Sequence, residues 1–75
     1  MRELVEYIAK NLVDDPDSVR VTEREEESAF VLELTVAPDD MGKVIGKQGR
    51  IAKAIRTVVK AATTKSPKKY IVEIV

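Results

Sequence analysis

A chain of 75 residues is expected to fold as a single domain over 1–75, burying roughly 60% of the surface that its unfolded form exposes. It has no Cys and no His, so disulfides, thiol chemistry and the usual zinc ligand sets are excluded, no metal or cofactor is expected, and any acid–base work would fall to carboxylates and lysines. Its 13 basic and 13 acidic residues cancel to a net charge of zero, no apolar run approaches the roughly 18 residues of a membrane span, and Met1-Arg2-Glu3 begins no secretory signal, which leaves the cytoplasm as the expected location.

Residues 3–13 place Leu4, Ile8 and Leu12 four apart with Val5, Ala9 and Val13 alongside, which predicts a core-facing helix. Asp14-Asp15-Pro16-Asp17-Ser18 supplies turn chemistry and a proline that cannot extend that helix. Alternation over Val19-Arg20-Val21-Thr22-Glu23 predicts a half-buried strand, and Ala29 to Ala37 a second, with Phe30, Leu32, Leu34 and Val36 on one face. The two are read as an antiparallel hairpin joined by the polar run Glu25-Glu26-Glu27-Ser28. Pro38-Asp39-Asp40 ends the second strand, and either aspartate can cap a short helix through Met41 to Ile45. A longer helix begins near Arg50. Drawn at 100° per residue, Ile51, Ala54, Ile55, Val58, Val59 and Ala62 fall on one side of it, and Arg50, Lys53, Arg56, Thr57 and Lys60 on the other. Ser66-Pro67 breaks that helix, and Tyr70 to Val75 reads as a third strand with apolar residues on both faces. The order is helix, strand, strand, helix, turn, helix, strand, an α+β fold with a three-stranded sheet covered on one face by three helices.

The turn between the last two helices, Gly46-Lys47-Gln48-Gly49, carries the chemistry. Glycine tolerates positive φ and lets a ligand approach the main chain closely. Unpaired amides at the start of a helix near Arg50, and the positive end of its dipole, favour an anion. Lys43, Lys47 and Arg50 add charge around the turn, so the stretch reads as a backbone clamp for something polyanionic. The distribution of charge agrees. Residues 1–40 hold 4 basic and 12 acidic residues, a net of −8, while residues 41–75 hold 9 basic residues and Glu73 alone, a net of +8. Other glycine motifs fail on spacing: Gly42 and Gly46 have three residues between them where a P-loop needs four, and Lys47 is followed by Gln48 rather than Ser or Thr. Ile45 and Ile51 flank the turn and read either as a floor for stacked bases or as core.

The run Gly42-Lys43-Val44-Ile45-Gly46-Lys47-Gln48-Gly49-Arg50-Ile51-Ala52-Lys53-Ala54-Ile55-Arg56 resembles the signature of the KH domain, and the element order αββααβ is that of its prokaryotic, type II, form. The likeness to small stand-alone bacterial members covers essentially the whole chain. In that fold a Gly-x-x-Gly loop clamps about four backbone nucleotides. The resemblance implies a non-catalytic binder of single-stranded RNA, with single-stranded DNA as a competing ligand, acting as an RNA chaperone or post-transcriptional regulator. It implies an RNA site at Lys43, Ile45, Gly46, Lys47, Gln48, Gly49, Arg50 and Lys53. It also implies a homodimer, or a heterodimer with a second KH-containing protein; the sequence does not single out the contact surface, for which Val31, Ile71, Val75 and the end of the long helix are the candidates. The hairpin tip corresponds to the family's variable loop, and here Glu23, Glu25, Glu26 and Glu27 would repel any phosphate backbone that faced them. An RNA-cutting enzyme is not expected, because no carboxylate lies between Met41 and Lys69. The alternative is a protein-interaction domain that keeps the fold.

Overall fold

The computed structural model describes residues 1–75, apart from the side chains of Lys47 and Gln48. The first amphipathic segment forms helix α1, Arg2–Leu12, which buries Val5 and Ala9. On its outer side Lys10 pairs with Glu6 at 3.0 Å. That hydrogen bond, and then the charge behind it, holds the Glu6 carboxyl below the usual carboxylate range. Pro16 opens a short 3-10 turn, Pro16–Ser18, where its missing N–H and fixed φ suit a first helical position.

Strands β1, Arg20–Glu25, and β2, Ala29–Thr35, make the expected antiparallel hairpin, with Val21 opposite Leu34 and Glu23 opposite Leu32. Strand β1 continues two residues beyond its alternating stretch. Strand β3, Lys69–Ile74, lies on the other side of β2 and runs parallel to it, with Leu32 opposite Val72. Parallel neighbours need a crossover, and helix α2, Pro38–Ala62, supplies it. Val5 and Ala9 of α1, Leu32, Leu34 and Val72 of the sheet, and Val44, Ile55 and Val59 of α2 close into one core. The fold is the α+β arrangement expected, one helical layer on a three-stranded sheet.

Three details differ from the expectations. The two helices flanking the glycines meet without a loop, as arms of one helical run in which Gly49 is left-handed, at φ 68°. The run starts at Pro38 with Ala37 as its flanking residue, and neither aspartate caps it through its side chain, because Asp40 is turned inward instead. Finally, Ala54, Val58 and Ala62, expected on the core side of α2, are exposed, while Ala52 is buried. The apolar arc is wider than the strip that the sheet covers. Val31 sits on the face of the sheet away from the helices, between Arg24 and Ile71 in the register, and is buried nonetheless.

Candidate functional site

The segment leading to the glycines is anchored by Asp40, whose side chain is only 2% exposed. Its two carboxylate oxygens accept the backbone N–H groups of Asp14 and Asp15, at 3.1 and 3.0 Å. A buried carboxylate is tolerated when it is hydrogen-bonded in this way. The first arm of α2 is thereby tied to the turn after α1. Lys43, one helical turn further on, reaches back to Asp14 at 3.1 Å. Both partners are largely solvated, and such pairs contribute about 0–1 kcal/mol, so the contact restrains the Lys43 ammonium without removing it from reach of another anion.

Val44 is fully buried and locks this arm to the core, which turns its neighbour Ile45 outward to 55% exposure. Of the two readings of the isoleucines, the structure separates them: Ile45 stands free beside the turn, and Ile51 packs partly against the core. Gly46 is helical, and a Cβ built on it would meet no described heavy atom within 4 Å. Gly49 has similar open space around it, but its left-handed φ is a conformation that L side chains avoid. A left-handed glycine is the usual end of a helix, and here a second helical arm follows at once. Arg50 and Lys53 are exposed on that arm. The side chains of Lys47 and Gln48, expected to project onto a phosphate, lie outside the described residues. The predicted site residues otherwise gather at one bend of α2, with Ile45, Arg50 and Lys53 open to solvent.

Beyond Lys53 the structure shows a groove that the sequence did not delimit. About 680 Å³ lies between the second arm of α2 and β3, walled by Val59, Pro67 and Tyr70 and rimmed by Arg56, Lys60 and Lys69. The Arg56 guanidinium donates to the Val72 carbonyl oxygen at 3.4 Å through two nitrogens. The cations of α2 were legible as one helix side. The contribution of residues 65–69 depends on how the chain turns back after Ala62, for which no local pattern exists. At the far end of the groove Lys68 donates to Glu25 at 2.7 Å, and its ammonium lies 5.1 Å from the centre of the Phe30 ring, which stacks on Tyr70. Arg24, in the hairpin, is held by Glu26 and Glu33 at 3.0 Å each. The Glu26 hydrogen bond leads in raising its already high pKa.

Among the described residues no cluster of metal-ligating side chains occurs, and no helix is long and apolar enough to cross a membrane. No solved structure matches the chain significantly. Among curated proteins it is 67% identical to the RNA-binding protein KhpA of Clostridium perfringens and 64% identical to that of Clostridium acetobutylicum, over 75 residues and the full length of both chains in each case. To the RNA-binding protein KhpA of Aquifex aeolicus it is 53% identical over 74 residues, which are 99% of this chain and 94% of that one. The family model described as KhpA/KhpB, KH domain, matches residues 2–74. The glycine bend that divides α2 into two arms, the place of that helix between the hairpin and β3, and this match together place the chain in the KhpA/KhpB family of KH domains.

Proposed function

We propose that the protein is a non-catalytic binder of single-stranded RNA that grips the sugar–phosphate backbone at residues 46–49. Gly46 is the observation that carries this reading. A glycine inside a helix is less stable than alanine by about 1 kcal/mol, and no described neighbour within 4 Å requires the missing methyl; Gly42 is equally open, and it is the left-handed Gly49 three residues on that makes the surface over Gly46 a bend where something from outside can reach the main chain. Lys43, Arg50 and Lys53 are exposed along the helix on either side of that surface, Lys47 and Gln48 are the two residues between the glycines, and Ile45 offers an exposed apolar floor for a base. The relatives, named for RNA binding, support the ligand class. Lys47→Asp combined with Gln48→Asp places negative charge in the bend. Affinity for a short single-stranded RNA should fall more than tenfold with an unchanged circular dichroism spectrum; retained affinity would favour the protein-interaction alternative.

Few phosphates are neutralised at such a site, so log K should fall with log salt at about 0.7 per phosphate, and one copy binds weakly. Pairing raises affinity through effective concentration. We therefore infer a homodimer, or a heterodimer with a second KH-containing protein, acting in the cytoplasm as an RNA chaperone or post-transcriptional regulator. Val31 is buried and offers little to a partner. The exposed strip of Ala54, Val58, Ala61 and Ala62 on α2 offers more.

A further inference from the structure

The cationic track on α2 does not run out into open solvent. Arg50, Lys53, Arg56 and Lys60 follow one exposed side of the helix, and the groove continues to Lys69 and Lys68 at the start of β3. There it meets the tip of the β1–β2 hairpin. Lys68 donates to the Glu25 carboxylate at 2.7 Å and to the Glu26 carbonyl oxygen at 3.0 Å. The last cation of the track is thus already neutralised by the hairpin. Arg24, the hairpin's own cation, is turned onto Glu26 and Glu33. Glu27 is exposed and makes no ion pair among the described residues.

We propose that Glu25, Glu26 and Glu27 form an electrostatic stop that limits the RNA held by one copy to a short single-stranded segment; this rests on the RNA-binding reading above. A strand gripped at the glycines occupies about four nucleotides there. Each further phosphate gains from Arg56, Lys60 and Lys69 until the next approaches the hairpin tip within a Debye length, about 8–10 Å. A phosphate and a carboxylate about 8 Å apart in water repel by roughly a factor of two in affinity. Lys68 and Arg24 offset two of the three carboxylates, so the intact tip repels about twofold, whereas removing all three also frees those two cations and changes the affinity about tenfold. Lengthening the RNA past this point therefore adds nothing to its hold.

The test is fluorescence anisotropy with labelled oligouridylates of four, eight and twelve nucleotides at about 0.1 M salt, where the Debye length is about 10 Å. The protein is compared with a Glu25→Gln, Glu26→Gln, Glu27→Gln variant whose fold is checked by circular dichroism. Taking the ratio of the two affinities at each length removes the statistical gain from sliding registers. The ratio should be near one for the tetramer and about ten in favour of the variant for the dodecamer, with a steeper salt dependence only for the long oligomers. Glu27→Gln alone, which breaks no described ion pair, should give a twofold effect confined to the long oligomers. A ratio that is the same at every length, whether one or ten, overturns the stop while leaving RNA binding intact. Failure of both proteins to bind any oligomer overturns the RNA-binding reading itself, and the stop with it.

Discussion

Gly46 and Gly49 look alike in sequence, and their roles separate once their backbones are known. Gly46 is helical with room for a methyl group, so Gly46→Ala should raise unfolding stability by about 0.5–1 kcal/mol. On the grip proposed above, the same methyl would stand in the path of the RNA backbone, and affinity should drop several-fold. Denaturant melts and anisotropy on one preparation check both halves, and undiminished affinity would show that the strand lies elsewhere. Gly49→Ala should behave in the opposite sense for stability, losing about 1–2 kcal/mol, because its φ of 68° is left-handed. Local spacing identified the pair. Which member is conformationally required was not legible, since it depends on whether the helix breaks before or after Lys47-Gln48.

Periodicity resolved the elements well wherever one face is buried and the other wet. Helix α1 and the hairpin have that pattern, and both occur close to their expected bounds. Helix α2 is where the pattern says too little. Its apolar residues span a broad arc, and a helical wheel cannot tell which part of the arc meets the sheet. Ala52, Ile55 and Val59 do, while Val58 remains 39% exposed beside Ala54, Ala61 and Ala62. Three alanines around a valine leave a flat strip that another helix can approach closely. Val58→Glu should therefore shift the protein to a monomer in sedimentation velocity and abolish the rise of melting temperature with protein concentration that a dimer shows, whereas a change at a residue needed only for the core would lower the melting temperature and keep that dependence. Ile71, on the sheet face away from the helices, serves as the control: Ile71→Glu should leave the sedimentation coefficient unchanged. The parallel pairing of β2 with β3 was equally hidden, because it follows from the crossover and not from either strand.

At the scale of the whole molecule, the acidic and basic halves of the sequence do not form separate poles. The fold sets the acidic hairpin tip against the last lysine of the groove and sets Asp14 against Lys43. A formal charge of zero thus conceals a positive path whose two ends are both flanked by carboxylates. Arg56 adds a further long-range tie, its guanidinium resting on a carbonyl of β3, one of the two edge strands. Unpaired strand edges invite association with other chains, and a cation seated on this one makes it a poor template.

The clasp made by Asp40 has a consequence for exchange with heavy water. Asp14 and Asp15 belong to a wet surface turn whose amides would ordinarily swap their protons within moments, yet each donates to a sheltered oxygen more than twenty positions along the chain. Their deuteration should therefore keep pace with the opening of α2 and not with the fraying of the turn, making two peripheral protons into gauges of the helix that bears the glycines. Asp40→Ala should release both at once, with about 2–4 kcal/mol of stability lost; persistence of slow exchange in that variant would mean that the turn is held by something else.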